Sequence, residues 1–351
     1  MTLAAIGAPR TDTSQASDVV AAARRLAPMV RSARDEAEAM RRTPPAVAKA
    51  LTDAGLYQMF LPRSVGGLEL PPLTAFEAIE ELSRADGSVG WCAMIASDIS
   101  QFTGWLATDV LRDMCGNPAD LRAAGSLRPQ GKARAVSGGY RVSGQWNFAS
   151  GIRHANWLYS PCFVMDGEKP AQTPAGGPRV RAMWLPIEQA RIVETWSTLG
   201  MRGTGSEDFA IDDVFVPTER TCFLGEPPVE TGPLYRPRML LTFLWTGTVG
   251  NALGIARGAI DTFIELAENE ASTGSPALLR DRPAVQSRLA EAEAILNAAR
   301  AYVVSAVGTA WDAIASDEPD PTRKIAQARL AITHAMHEAV RVVDMVFHAA
   351  G

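Results

Sequence analysis

Between Tyr140 and Trp157 the chain reads YRVSGQWNFASGIRHANW, and three residues there could do chemistry: the ring of Phe148, the hydroxyl of Ser150 and the backbone of Gly151. Strand alternation puts Tyr140, Val142, Trp146 and Phe148 on one face and Arg141, Ser143, Gln145 and Asn147 on the other. The same parity points Phe148 and Ser150 the same way, while Gly151 frees the backbone to turn and offers an N–H. A ring, a small hydroxyl and a backbone donor together can flank a flat heteroaromatic group, although an ordinary strand can end in the same residues. His154, one of four histidines in the chain, reads as an orienting or surface-packing group, with a direct role at the site as the alternative.

Other constellations fail on spacing. GSLRPQGKA has five residues between Gly125 and Gly131 where a phosphate loop has four, Ala133 stands where the loop needs Ser or Thr, and a strand follows instead of a helix. GTGSED, from Gly203 to Asp208, lacks the third glycine of a dinucleotide fingerprint. His334, His337, Glu338, Asp344 and His348 share a helix but match neither HExxH nor paired ExxH carboxylates, so surface ion pairing accounts for them. No GxSxG elbow offers an activated serine.

The elements that must position these residues fall into three stretches. Residues 16 to about 120 carry helical periodicity, with Val20, Leu26, Val30 and Met40 on one stripe. Pro44-Pro45 restarts a helix that Gly55 ends, Thr74 and Glu77 form a capping box, and Asp86 opens the apolar helix VGWCAMIASDISQFTGW. From about 122 to 220, β-branched and aromatic residues alternate with polar ones, and Ser137-Gly138-Gly139 marks a hairpin. Long helices then return, the first with a stripe of Gly247, Gly250, Gly254 and Gly258 that admits a close neighbour. The last breaks off at HAAG, which suggests a further C-terminal segment or a partner covering the bundle.

At 351 residues and net charge −5 the chain has no basic field for nucleic acid or anionic lipid. It shows no membrane-spanning run and no secretory signal, and MTLAAIGAPRTDTSQAS reads as a disordered leader. Cys92, Cys115, Cys162 and Cys222 form no CxxC pair, as expected of reduced thiols in the cytosol.

In order, LPRSVGGLEL, IEELSRADGSVGW, SLRPQGKA, GYRVSGQWNFASGIRHANW and LGMRGTGSEDFAIDDVFVP resemble the acyl-CoA dehydrogenase superfamily, from about residue 16 to the end. The resemblance implies an α+β fold: an N-terminal helical domain (16–121), a central β-barrel (122–226) and a C-terminal helical bundle (233–351) that builds a homotetramer. It implies that the Ser150 hydroxyl bonds flavin N5, with Ser where the family's turn has Thr. Phe148, Ala149 and Gly151 would shape the flavin site, Ser126 and Leu127 would reach the ring's polar edge, and Thr204, Gly205 and Ser206 would close over it. No metal is implied.

Two chemistries compete within the superfamily. A dehydrogenase needs a carboxylate base and a bound FAD. An oxygenase needs reduced FMN or FADH2 from a separate flavin reductase and O2, which together form a C4a-hydroperoxide that oxygenates a small organic substrate. Gly131-Lys132-Ala133 replaces the thioester-carrier contact, LTFLWTG holds no acid, and the Arg-x-x-Phe-Gly that grips FAD is absent. FASGIRHANW and VFHAAG resemble the two-component flavin-dependent monooxygenases, and a cytosolic enzyme of that kind is the expectation. Trp91, Ile95 and Asp98, about one helical turn apart, would line its substrate pocket, although Trp91 and Ile95 also suit an ordinary core. An acyl-CoA dehydrogenase and a flavin-free scaffold of the same fold are the alternatives.

Overall fold

A computed structural model of the chain describes residues 13–117, 120–236, 240–270 and 278–350. The leader read before residue 13 lies outside the described residues. Helices come first: α1 (Thr13–Ser32), α2 (Arg34–Met40), α3 (Pro45–Asp53), α4 (Pro72–Ala85), α5 (Gly87–Gln101) and α6 (Thr108–Cys115). α4 starts at Pro72 with no side-chain cap, so the capping box expected at Thr74 and Glu77 does not form. Proline's fixed φ and missing N–H suit a first turn, and the helix is already under way at Thr74. α5 is capped as the sequence indicates, with the Asp86 carboxylate accepting from the Val89 N–H at 2.9 Å. From Ser88 to Gln101 every residue is buried except Trp91 and Ile95, which are half-buried. These two stand one turn apart, so one stripe of an otherwise enclosed helix faces open space.

The middle of the chain is a sheet built from β1 (Ala123–Gly125), β2 (Gly131–Val136), β3 (Gly139–Ala149), β4 (Trp157–Asp166), β5 (Lys169–Pro170), β6 (Val180–Pro186), β7 (Arg191–Val193), β8 (Glu207–Pro217) and β9 (Thr221–Cys222). Its order is β7-β8-β3-β2-β4-β6-β9, with β1 and β5 also paired to β4. β4 is parallel to β1 and β2, and the other pairs are antiparallel. Among the described residues no pairing joins β7 to β9, so the sheet is open and the expected closed barrel is not formed by its ladder. Both edge strands are two or three residues long, too short to carry the ladder round. The β2–β3 hairpin turns at Gly138, φ +78, as read from Ser-Gly-Gly. Trp146 and Phe209, both fully buried, stack face to face in the core of this layer at 5.1 Å.

α7 (Leu240–Asn269), α8 (Pro283–Ala315) and α9 (Thr322–Ala350) complete the described chain. The glycine stripe of α7 receives α4: a Cβ at Gly254 would stand 2.4 Å from the Glu80 carbonyl oxygen, and one at Gly258 would stand 2.7 Å from that of Arg84. The stripe is therefore used within the chain and makes no case for a subunit seam. Asn251 Nδ2, buried in the same contact, donates to Ser83 Oγ at 2.8 Å and to the Gly87 carbonyl at 2.9 Å. On α9, His334 Nδ1 lies 4.0 Å from Glu338 Oε1. Among the described residues no three His, Cys, Asp or Glu side chains converge to hold a metal, and no helix is long and apolar enough to cross a membrane.

Candidate functional site

β3 and β8 run antiparallel with Ala149 opposite Glu207. One step off that ladder Ser150 faces Ser206, and their hydroxyl oxygens lie 2.7 Å apart. Ser206 Oγ is also 2.7 Å from Thr204 Oγ1, which is 2.9 Å from the Met201 carbonyl oxygen. From the helical side the Trp91 indole Nε1 donates to Ser150 Oγ at 3.0 Å. Three buried hydroxyls and an indole thus form one chain where the sheet meets the open stripe of α5.

The turn carrying Thr204 is tightly held. Met201 and Gly205, at φ +55 and +49, flank the short helix Arg202–Thr204. A Cβ at Gly205 would come within 2.9 Å of the Arg41 carbonyl oxygen, so only glycine fits there. The Met201 carbonyl also accepts from the Thr204 backbone N–H at 3.2 Å and from Trp196 Nε1 at 3.0 Å. Gly151 does turn the backbone, at φ +74, but its N–H donates to the Thr204 carbonyl at 2.9 Å. The free donor expected at Gly151 is therefore engaged, as buried N–H groups nearly always are.

Phe148 also departs from expectation. The β3–β8 register slips between Trp146 and Ala149, and Phe148 sits at φ +62. Such a bulge inserts a residue and resets which side chains face inward. Ala149 consequently packs in the sheet core, while Phe148 is 58 % exposed and meets Trp196 edge-on with ring centroids 6.2 Å apart. Ring and hydroxyl do not share the environment that strict alternation implied. Leu127, after β1, is 55 % exposed, and the neighbouring Ser126 Oγ accepts from the Arg128 N–H at 3.2 Å. Among the described residues no hydrogen bond joins this loop to the hydroxyl chain.

The acids at the start of β8 are committed to structure. Glu207 Oε2 accepts from the Thr195 and Trp196 N–H groups at 2.7 and 2.9 Å. Asp208 accepts from Asn147 Nδ2 at 2.7 Å, Gln145 Nε2 at 3.0 Å and Thr195 Oγ1 at 3.1 Å. Trp196 and Glu207 escaped the sequence reading; the only signal for Trp196 was an aromatic five positions before Met201. Asp98 is different. It is buried on α5, three positions on from Ile95, and its Oδ1 finds no partner among the described residues. Burial pushes its carboxyl well above the usual carboxylate range. His154 stacks on Tyr57 at 5.1 Å, and burial, helped by the Arg122 charge, lowers its imidazole to about 4. A neutral, stacked ring fits the packing role expected of it. The Ser150 oxygen can accept from the polar edge of a flat heterocycle at this junction, and Phe148 and Leu127 are apolar side chains left exposed.

Residues 14–106 match the acyl-CoA dehydrogenase N-terminal domain family and residues 246–351 the acyl-CoA dehydrogenase C-terminal domain family. An indole-3-acetate monooxygenase from Pseudomonas putida is 36 % identical over 298 residues, 84 % of this chain and 74 % of that one. The oxygenase component of an FADH2-dependent resorcinol hydroxylase from Rhizobium sp. is 30 % identical over 288 residues, 78 % of this chain and 68 % of that one. The crystal structure of 3-HSA hydroxylase from Rhodococcus sp. RHA1 superposes with a TM-score of 0.84 at 27 % identity, covering 95 % of this chain and 86 % of that one.

Proposed function

The chain belongs to the acyl-CoA dehydrogenase superfamily and, within it, to the flavin-dependent monooxygenases, and on that premise we propose which of its residues serve the reaction. It is an oxidoreductase, the oxygenase component of a two-component system that takes reduced flavin from a separate reductase. Reduced FMN or FADH2 supplies the electrons that activate O2, so that one oxygen atom enters a small organic substrate and the other leaves as water.

Ser150 bonds the N5 edge of the flavin through its hydroxyl oxygen. Phe148 and Leu127 cover the ring's faces, Ser126 and the Gly151 turn border its polar edge, and Thr204 to Ser206 back Ser150. Trp91 and Ile95 line the substrate side, with Asp98 beneath them. The observation that carries this reading is the Trp91–Ser150 bond, because it joins the one open stripe of α5 to the end of β3. An aromatic substrate suits a stripe headed by an indole, and relatives named for indole-3-acetate and resorcinol favour the same class. Asp98, kept protonated by burial, has an oxygen to spare for the substrate's polar group. Leu330, Val340 and Phe347 lie exposed on α9, which supports a homotetramer; light scattering from a monomer would count against it.

The test uses the purified chain mixed anaerobically with reduced FMN or FADH2, then given isotopically heavy O2 and a panel of small aromatics beginning with indole-3-acetate. A product carrying one heavy oxygen atom supports the oxygenase. If all O2 ends as hydrogen peroxide and an acyl thioester instead reduces protein-bound FAD, the dehydrogenase reading replaces it.

A further inference from the structure

Counting protons along the hydroxyl chain fixes its direction. The Met201 carbonyl has lone pairs and no proton, so its 2.9 Å contact with Thr204 Oγ1 is a bond only if Thr204 donates. Thr204 has then spent its single proton, and its 2.7 Å contact with Ser206 requires Ser206 as donor. By the same step the 2.7 Å contact between Ser206 and Ser150 requires Ser150 as donor. Trp91 Nε1 only donates, so at 3.0 Å Ser150 accepts from it. Ser150 is left with no proton to give and one lone pair to offer. The Trp196 N–H, on the same Met201 carbonyl, steadies the far end.

We infer that Thr204 and Ser206 are positioning residues that make this site select the redox state of its flavin, by locking Ser150 as a hydrogen-bond acceptor. The inference rests on the proposed place of Ser150 beside N5. Reduced flavin carries a hydrogen on N5 and meets a matching lone pair there. Oxidised flavin has only a lone pair at N5, and Ser150 can turn its proton outward only by taking it from Ser206. That move leaves a buried hydroxyl short of a partner, a change disfavoured in a dry environment. The oxygenase therefore keeps the flavin that reacts and lets go of the spent form.

Dissociation constants for reduced and oxidised FMN, and for FADH2 and FAD, measured by anaerobic ultrafiltration on the full chain, test this. The wild type is expected to bind the reduced form at least about tenfold more tightly. Ser206→Ala frees the Ser150 proton, and the ratio should shrink about five- to tenfold, chiefly through tighter binding of the oxidised form. Thr204→Val, close in shape, should act in the same direction and serves if Ser206→Ala does not fold. Ser206→Thr, which keeps the hydroxyl, should retain the wild-type ratio. Equal weakening of both forms in Ser206→Ala and Thr204→Val, or an unchanged ratio, would reduce the two hydroxyls to structural roles and overturn the inference while leaving the flavin site standing. A wild type that binds neither flavin in either state would overturn both.

Discussion

The Trp91 indole nitrogen and the Ser150 hydroxyl oxygen lie 3.0 Å apart although 59 positions separate them in sequence. One belongs to the open stripe of α5, proposed to line the substrate side, the other to the strand end proposed to meet the flavin. Trp91→Phe keeps an aromatic ring on the stripe and deletes only the N–H. Ser150 Oγ then loses one of the two contacts that orient it, and reduced FMN is expected to bind about two- to tenfold more weakly, with little loss of stability. Anaerobic titration checks this, and an unchanged affinity would detach Trp91 from the flavin.

Asp98 should make folding sensitive to pH in an unusual direction. Its burial keeps a proton on the folded chain that the unfolded chain releases above about pH 4. The folded state then binds more protons, so this group's contribution to stability falls as pH rises above that value. Asp98→Asn removes the effect, and the variant should gain on the wild type as pH rises from about 4 to about 8. Urea unfolding at the two pH values measures the difference; parallel curves would mean that Asp98 ionises freely in the folded chain.

His154 acts with the opposite sign. Its imidazole is held near 4, first by burial and then by Arg122, whereas an unfolded histidine takes up a proton near pH 6.5. Its contribution is full above about pH 6.5 and is lost as pH falls toward 4. His154→Gln should flatten that acid limb in a thermal-unfolding series. A limb as steep as the wild type's would place the acid sensitivity elsewhere.

The contact of α7 with α4 leaves no room for a methyl group at Gly254, where a Cβ would stand 2.4 Å from the Glu80 carbonyl oxygen and 2.6 Å from Ser83 Cβ. Gly254→Ala should cost about 1–3 kcal/mol by forcing the helices apart. Guanidinium unfolding reads this as a lower midpoint at constant slope. No change in midpoint would show that the pair has slack.

The order of helices, sheet and helices was legible because hydrophobic period and turn chemistry are local, as at Asp86 and at the Gly138 hairpin. Ser150 stood out as a small hydroxyl at a strand's end, and resemblance added Thr204 and Ser206. What stayed hidden were consequences of pairing. The Ser150–Ser206 contact exists because β3 and β8 meet in one register, and no window of sequence contains both. The bulge at Phe148 hid for a related reason: a one-residue slip leaves composition untouched and reverses every later side chain. Thr74 misled because a favourable capping pattern was overtaken by the prolines just before it.

Phe148 occupies a left-handed backbone conformation, φ +62, which costs an L-residue with a side chain about 1–2 kcal/mol and glycine almost nothing. Thermal tolerance and flavin handling therefore pull in opposite directions at this position. A library of variants screened for heat resistance alone should drift toward Phe148→Gly, gaining stability while discarding the ring proposed to cover the flavin. The same library screened for oxygenated product should keep the strained phenylalanine.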